Sequence, residues 1–171
     1  MNYKKIYLKK GKESSLQRFH PWVFSGAVSR ADKGIAEGEI VEVYTANQEF
    51  IAVGHFQIGS IAVRVLSFNQ QTINKAFWTK RLAAAYQMRK DVGLDYTDTH
   101  SSFRLVHGEG DFLPGLIVDF YGSTAVMQAH SVGMHMHRQE IAECIVAISE
   151  GKIKNVYYKS ETTLPYKADT G

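Results

Sequence analysis

The fold of the first part of the chain is decided by residues 39–68, EIVEVYTANQEFIAVGHFQIGSIAVRVLSF. Three runs in it, residues 39–44, 50–56 and 61–68, are rich in β-branched and aromatic side chains that alternate with polar ones, which is typical of half-buried strands. Gly54 lies inside the second run, and a glycine there indicates a bulge or a close approach of another backbone segment. The stretch therefore predicts three consecutive strands.

The residues before this stretch continue the pattern. Residues 3–9 alternate apolar side chains with lysines and predict a further strand. Residues 13–18 predict one short helical turn, which ends before the His20–Pro21 step because a residue that precedes proline disfavours the helical conformation. Since the first 68 or so residues predict short strands and little helix, we expect a small closed or partly closed β-barrel.

A change to helical periodicity indicates a second domain. Residues 73–89 carry apolar side chains at helical spacing, with Thr72 as the predicted N-cap and Gly93 as the stop signal. Further along, the pattern predicts three strands, a second helix and a last strand, at residues 103–107, 116–120, 124–129, 134–149 and 153–158.

We therefore predict an α+β chain of two domains. A β-barrel domain occupies residues 1–70, and a layered α/β sandwich with two helices occupies residues 73–160. The boundary falls in the polar residues 69–72. Residues 161–171 lack a strong pattern and are expected to be a tail or a linker.

Composition narrows the class of protein. No apolar run approaches the roughly 20 residues that span a bilayer, so we expect a cytoplasmic protein with no membrane partner. The single cysteine, Cys144, excludes an internal disulfide framework.

Positive charge is concentrated at the start of the chain. The first 20 residues contain six basic residues and one acidic residue, Glu13. Such clustering is typical of nucleic-acid contact, although a lysine edge that keeps a strand from aggregating is an equally good interpretation. The basic residues are Lys4, Lys5, Lys9, Lys10, Lys12 and Arg18.

Aromatic residues lie close to these charges. His20 and Trp22 flank Pro21, and Arg64 lies in the middle of a predicted strand. Aromatic rings stack on unpaired bases while arginine and lysine bind phosphates, so this combination favours RNA binding. The alternative is that Trp22 and Phe24 belong to the core, and for Trp22 we favour that alternative.

Several residues could form a metal site or a nucleophile. His130, His135 and His137 are close in sequence, but the i, i+2 spacing of the last two directs them to different sides of a helix, whereas zinc needs convergent ligands. Cys144 lies among isoleucines and fits a small buried hydrophobe better than a reactive thiol. We therefore expect no metal site and no catalytic cysteine.

The segment VHGEGDFLPG, residues 106–115, has the most unusual composition. Its glycine spacing is neither that of a dinucleotide-binding loop nor that of a Walker loop. Glu109 and Asp111, with His107, could perform acid–base chemistry. We favour the alternative of a structured connection whose glycines take positive φ and whose carboxylates bind backbone amides.

Three motifs carry a resemblance to a known family. The first is HPWVFSG at residues 20–26. The second is the pair of predicted strands that contains Gly54, Ser60 and residues 64–66. The third, which we call the long motif, is RLVHGEGDFLPGLIVDFYG at residues 104–122. Over residues 8–158 the chain resembles the class I S-adenosylmethionine (SAM)-dependent methyltransferases of large-subunit ribosomal RNA, the 23S rRNA in bacteria, that make 5-methylcytosine.

The resemblance implies a PUA-like RNA-binding domain over residues 1–70 and a central domain over residues 73–160. The family's Rossmann methyltransferase domain, which holds SAM and the nucleophilic cysteine, is absent. The chain is thus expected to be an inactive RNA-docking fragment without a cofactor or a catalytic residue of its own. Its expected partner is rRNA, and a homodimer and a stand-alone RNA-binding module stay open as alternatives.

The resemblance and the charges together give two sets of site residues. The expected RNA-binding residues are Lys4, Lys5, Lys9, Lys10, Lys12, Arg18, His20, Ser25, Gly26 and Arg64. The residues of the long motif that are expected to be structural are Arg104, Glu109, Asp111, Pro114, Gly115 and Asp119.

Overall fold

A computed structural model of the chain describes residues 3–95 and 102–164, which fall into two compact units with the boundary between Thr72 and Ile73. In its described residues, the first unit contains six strands, one short α-helix and a 3-10 turn at Ser25–Ala27. Their bounds are β1 Lys4–Leu8, α1 Ser14–Gln17, β2 Trp22–Phe24, β3 Val28–Ala31, β4 Ile40–Tyr44, β5 Phe50–Phe56 and β6 Ile61–Ser67.

The six strands form one sheet in the order β2-β6-β5-β4-β1-β3. All neighbours are antiparallel except β1 and β4, which are parallel. Side chains from five of the strands and from α1 share one buried cluster, so the sheet curls around a single core. Because β2 and β3 remain edges, the predicted barrel is confirmed in its partly closed form. The cluster comprises Ile6, Leu8, Leu16, Val23, Val41, Val43, Ala52, Val63 and Val65.

Strand β3 was not predicted from the sequence. Its four residues are half-buried or exposed, so they do not show the apolar alternation by which strands are recognised. The strand exists because its backbone pairs with β1, with Ile6 opposite Ala31 and Tyr7 opposite Arg30.

Gly54 lies at a bulge and close to the backbone of the neighbouring strand, as its position inside a predicted strand indicates. The pairing of β5 with β6 shifts register between Val53 and Gly54. A Cβ atom on Gly54 would lie 2.2 Å from the carbonyl oxygen of Arg64, so no larger residue fits without moving the neighbouring strand.

Tyr44 makes the stability of the first unit sensitive to alkaline pH. Its hydroxyl donates a hydrogen bond to Glu42 Oε2 at 2.8 Å, and burial together with this carboxylate raises the pKa of Tyr44 from 10.0 to about 12. Since the unfolded state loses its proton first, the contribution of Tyr44 to stability is complete below about pH 10 and is lost as the pH rises to about 12.

We therefore expect the first unit to lose stability between about pH 10 and 12, and the variant Tyr44→Phe to lose less. Urea unfolding of both proteins across this pH range measures the effect. An unchanged pH dependence in Tyr44→Phe would refute the assignment to this hydroxyl.

The second unit is a four-stranded sheet with helices on one face. Its elements are α2 Lys75–Asp91, β7 Ser102–His107, β8 Leu116–Tyr121, β9 Thr124–Ala129, α3 Val132–Met136, α4 Arg138–Ile148 and β10 Asn155–Tyr158. The strand order is β10-β9-β8-β7, and β10 runs parallel to β9. Helices α2 and α4 pack against each other and against this sheet, which confirms the predicted α+β architecture. The buried side chains include Trp78, Leu82, Phe103, Val118, Phe120, Met127, Ile141 and Ile145.

Two helix boundaries differ from the prediction. Asn74, and not Thr72, caps α2, because its Oδ1 accepts the Phe77 N–H at 3.2 Å. The predicted single helix over residues 134–149 begins earlier, at the Ser131 cap, and is interrupted at His137. Since the His137 N–H still donates to the Gly133 carbonyl, the interruption is a local distortion.

Part of the predicted tail, residues 165–171, and most of the loop before β7, residues 96–101, lie outside the described residues. Among the helices of the described part of the chain, none has the length and apolar character needed to cross a bilayer.

Candidate nucleic-acid interface

Three aromatic rings lie together along the edge strand β2. The ring centroids of His20 and Trp22 are 5.8 Å apart, and those of Trp22 and Phe24 are 6.2 Å apart, both in edge-to-face geometry. Alternation along β2 directs Trp22 and Phe24 to the face opposite the buried Val23. His20 is held in place because its Nδ1 accepts the Trp22 N–H at 3.2 Å.

Arg64 adds a positive charge to these rings. It lies opposite Trp22 in the β2–β6 pairing, and its Cζ is 5.7 Å from the centroid of the Trp22 ring. Its Nε donates to Gln57 Oε1 at 2.9 Å, which fixes the guanidinium beside the indole. We call His20, Trp22, Phe24 and Arg64 the aromatic cluster.

The core position predicted for Trp22 is wrong, and Phe24, for which the core was an open alternative, is exposed. Trp22 is half-buried and Phe24 is 47% exposed, whereas Val23 between them is 2% exposed. An edge strand of three residues buries only its middle side chain, because its two flanking side chains point away from the core.

A cavity of about 420 Å³ adjoins the aromatic cluster and brings Phe24 together with Lys12. Lys9 fixes the chain nearby, because its Nζ donates to the Gly26 carbonyl at 2.9 Å. Three of the predicted residues, Lys9, Lys12 and Gly26, therefore lie close to the cluster. The lining residues are Gly11, Lys12, Ser14, Ser15, Phe24, Gly26 and Ala27.

Two of the predicted lysines have structural partners elsewhere on the sheet. Lys4 Nζ binds Glu39 Oε2 at 3.0 Å and the Gly34 carbonyl at 2.6 Å. The pKa of Glu39 is lowered chiefly by the N–H of Ala36, with a further contribution from Lys4. The ammonium of Lys5 lies 5.0 Å from the centroid of the Tyr44 ring.

The remaining predicted residues of the first unit are exposed. Lys10 and Arg18 face solvent on either side of the short helix α1. Ser25 is exposed next to Phe24, and its N–H donates to the Ser60 carbonyl at 2.9 Å. All three side chains are exposed, and Ser25 adjoins Phe24 of the aromatic cluster in the chain.

In the second unit, the loop after β7 is organised by Asp111. The side chain of Asp111 is 2% exposed and binds Arg89 through both carboxylate oxygens, at 2.8 Å for Oδ2 to Nη2. Its Oδ2 also accepts the His107 N–H at 2.6 Å. Because Asp111 is bound by these partners, its contacts support the interpretation of the loop as a structured connection, and Glu109 is half-buried.

Arg104, Pro114 and Gly115 of the long motif are likewise bound to, or closely packed against, neighbouring residues. Arg104 binds both oxygens of Asp119, at 2.7 and 3.1 Å, and lies 3.1 Å from His107 Nδ1. Pro114 is buried. Gly115 has a φ of +85°, and a Cβ atom there would lie 2.7 Å from Ser131 Oγ.

The three neighbouring histidines have three different partners. His130 lies 3.3 Å from Gln128 Oε1, and His135 lies 2.7 Å from the Tyr158 hydroxyl. The His137 ring lies 5.3 Å from that of Trp78, and burial lowers its pKa. Within residues 3–95 and 102–164, no group of three His, Cys, Asp or Glu side chains is placed to hold a metal ion.

Cys144 is fully buried in the second unit. Its Sγ lies 3.3 Å from Thr79 Oγ1 and 3.7 Å from the Lys75 carbonyl. A thiol without access to solvent supports the interpretation of a packing residue.

Residues 6–68 match the family model of the PUA-like domain. The match covers most of the first unit, which we call the PUA-like unit. The matched region runs from the second half of β1 to the residue after β6, so it includes the aromatic cluster and the cavity beside it.

Over nearly its whole length the chain is also similar to curated methyltransferases. It is 35% identical over 163 residues to ribosomal RNA large subunit methyltransferase I of Vibrio campbellii, which covers 95% of this chain and 40% of the relative. With the protein of the same name from Cronobacter sakazakii it is 38% identical over 150 residues, covering 84% of this chain and 36% of the relative. The resemblance to large-subunit rRNA methyltransferases is thus confirmed, and the chain spans about 40% of the length of these relatives.

Solved structures agree with this architecture. A candidate SAM-dependent methyltransferase from Streptococcus mutans superimposes with a TM-score of 0.76 at 16% identity, covering 91% of this chain and 40% of the other. A structure of a candidate methyltransferase complexed with S-adenosylhomocysteine gives the same TM-score at 17% identity. At this level of identity the likeness shows a common fold for the PUA-like unit and the unit that follows it.

One row of side chains in the PUA-like unit was not predicted from the sequence. The Cζ of Arg30 lies 3.5 Å from the centroid of the Tyr7 ring, and the Tyr7 and Tyr44 rings are 5.7 Å apart. This row depends on the pairing of β3 with β1. Because the residues of β3 lack the alternation typical of a strand, the pairing of β3 with β1 was not predicted. Only the position of Tyr7 in the alternating pattern of β1 could have indicated this row.

Proposed function

We propose that this chain docks RNA through the aromatic cluster of its PUA-like unit, as part of a SAM-dependent methyltransferase that acts on large-subunit ribosomal RNA. One observation carries the proposal: three aromatic rings, the Arg64 guanidinium and the cavity that Lys12 lines lie together at one edge of the sheet.

The chemistry of this edge suits RNA with unpaired bases. An exposed aromatic ring stacks on a base whatever its identity, and a neighbouring guanidinium or ammonium neutralises the phosphate. Phe24 offers such a ring, while Lys12, which lines the same cavity, offers the charge. Lys10 precedes and Arg18 follows α1 in the chain, and both are exposed and available to bind phosphate.

The proposal for the whole protein rests on the named relatives and on the family resemblance. SAM would supply the methyl group, the target base would be cytosine, and the methyl group would go to its C5 position. The base would have to leave its stack to be reached, as in other enzymes that modify nucleic-acid bases. We propose that this chain orients the RNA and is inactive alone, and that the protein works in the cytoplasm, where rRNA is made and modified.

The variants Phe24→Leu and Lys12→Gln separate the two components of binding. We expect Phe24→Leu to weaken binding of a single-stranded oligoribonucleotide about tenfold, because one stacking contact is lost. We expect Lys12→Gln to reduce the slope of log K against log salt concentration by about 0.7, because one phosphate contact is lost. Fluorescence anisotropy over a series of salt concentrations measures both effects.

Matched controls come from the second unit. Phe112 is 53% exposed, close to the 47% of Phe24, so Phe112→Leu removes an equally exposed ring from outside the proposed surface. Lys80→Gln removes a charge that is also exposed, from helix α2. If the two controls weaken binding as much as Phe24→Leu and Lys12→Gln do, the aromatic cluster is not the docking surface.

A further inference from the structure

One face of the sheet in the second unit is not covered by its helices. Inward side chains such as Val118 and Phe120 are fully buried, and the Phe120 ring lies 6.0 Å from that of Tyr86 in α2. The opposite face, which we call the open face, is formed by the alternate residues of the same strands. The residues of this face that matter here are Arg104, Asp119, Tyr121, Thr124, Val126 and Tyr157.

Two tyrosines dominate the open face. Tyr121 is 54% exposed and Tyr157 is 58% exposed, although each lies in a strand that pairs with β9. A tyrosine ring is large and mostly apolar, and two such rings exposed on one face of a sheet are available to pack against a ligand.

We propose that the open face binds unpaired bases of the same RNA, with Tyr121 and Tyr157 as stacking platforms. This inference rests on the proposed function, which it extends from the PUA-like unit to a second contact. A four-stranded sheet that presents aromatic side chains on an uncovered face is one of the common ways in which proteins hold single-stranded RNA.

The register of the strands fixes the separation of the two rings. Tyr121 pairs with Thr124, and Tyr157 pairs with Val126, so the tyrosines lie on either side of β9 and two residues apart along it. With a strand spacing of about 4.8 Å and a rise of about 3.3 Å per residue, their Cα atoms are about 12 Å apart. The two rings are therefore too far apart to stack on each other, and each can receive a different base.

The charges on this face are compatible with a polyanion. Within the four strands, Asp119 is the acidic residue of the open face, and both of its oxygens are bound by Arg104. The N–H of Lys159 donates to the Met127 carbonyl, which continues the β10 ladder, and alternation places Lys159 on the same face as Tyr157. Lys154 flanks the other end of β10 and is exposed.

The composition of the face favours RNA over a protein partner. Besides the tyrosines, the open face has few apolar side chains, and two of them, Val126 and Ile117, are half-buried. Polar side chains such as Thr124 and Asn155 occupy the row of Tyr121. A protein interface of this kind would require a larger apolar centre, whereas stacking requires only exposed rings with polar surroundings.

The test uses the chain with Tyr121→Leu, Tyr157→Leu and their combination, and Tyr121→Phe with Tyr157→Phe as matched controls. Leucine keeps the apolar bulk and removes the ring, and phenylalanine keeps the ring. We expect each leucine variant to weaken binding of a single-stranded oligoribonucleotide about tenfold and the phenylalanine variants to bind as the parent does. Photocrosslinking of an iodouracil-substituted oligoribonucleotide, with the attached peptides identified by mass spectrometry, should label Tyr121 and Tyr157.

The possible results are distinguishable. If Phe24→Leu weakens binding but the leucine variants do not, and no crosslink forms on β8 or β10, the open face is not an RNA surface while the proposed function stands. If the parent chain binds no RNA, both proposals fail. If the leucine variants instead change the oligomeric state in sedimentation velocity runs without RNA, the face is an interface between copies of the chain and the inference is overturned. Circular dichroism establishes that each variant is folded.

Discussion

Replacing Asp111 with alanine is expected to lower the free energy of unfolding of the second unit by about 3–5 kcal/mol. The carboxylate is almost completely buried and binds the Arg89 guanidinium through both oxygens, so its removal leaves a positive charge in a poorly solvated place. The same substitution removes the acceptor of the His107 N–H and releases the loop that follows β7.

Urea unfolding followed by the fluorescence of Trp78 measures this effect. The chain has two tryptophans, and Trp78 is the one in the second unit, so a Trp22→Phe background isolates its signal. Asp119→Ala is the matched control, because it breaks a similar bidentate ion pair in which the side chain of the arginine, Arg104, is 47% exposed. For this control we expect a loss of about 1 kcal/mol or less. Equal losses from the two substitutions would mean that burial of the Arg89–Asp111 pair does not determine its contribution.

The substitution Gly54→Ala is expected to destabilise the PUA-like unit by about 3 kcal/mol, the upper end of the range for overpacked sites. The added methyl group would meet the backbone of Arg64, with its carbonyl oxygen at 2.2 Å and its carbonyl carbon at 2.8 Å. Because backbone atoms in a paired strand cannot rotate away as a side chain can, β6 must shift as a whole. This shift would also displace Arg64 from Trp22, so RNA affinity should fall together with stability.

Chemical denaturation followed by the fluorescence of Trp22, in a Trp78→Phe background, measures the stability of the PUA-like unit. Gly26→Ala provides the control, since a Cβ atom there meets nothing within 4 Å and its backbone is not in the positive-φ region. We expect Gly26→Ala to change stability by less than about 0.5 kcal/mol. A fully stable Gly54→Ala protein would show that β5 and β6 can separate without loss.

The sequence was sufficient for the strands and helices that are built from apolar runs. The β-branched and aromatic runs of β4, β5 and β6 reflect burial, but consecutive residues in the middle of these strands are buried, so burial there extends to both faces and not to one face as the alternation predicts. The helical spacing in α2 reflects one buried face, and Gly54 reflects a close contact between backbones. Strand β3 could not be found in this way, because its formation depends on hydrogen bonds to β1 and not on its own side chains.

The residue types of the candidate site could be predicted from the sequence, but the positions of these residues relative to one another could not. The basic residues and His20 could be picked out by type, but the separation of Lys4, bound to Glu39, from Lys12, beside Phe24, follows from the pairing of distant strands. The exposure of Phe24 could not be predicted either, because an apolar run of three residues does not reveal which of its members face inward in an edge strand.

The parallel pairing of β10 with β9 has a consequence for the order in which the chain folds during synthesis. All of the strands of the first unit lie within residues 4–67, so this unit can form while later residues are still in the ribosome. The second unit must wait until residues 155–158 have emerged, because β10 reaches its place beside β9 only after α3 and α4 have been made. We therefore expect nascent chains to acquire a folded, RNA-competent first unit before the second sheet is complete.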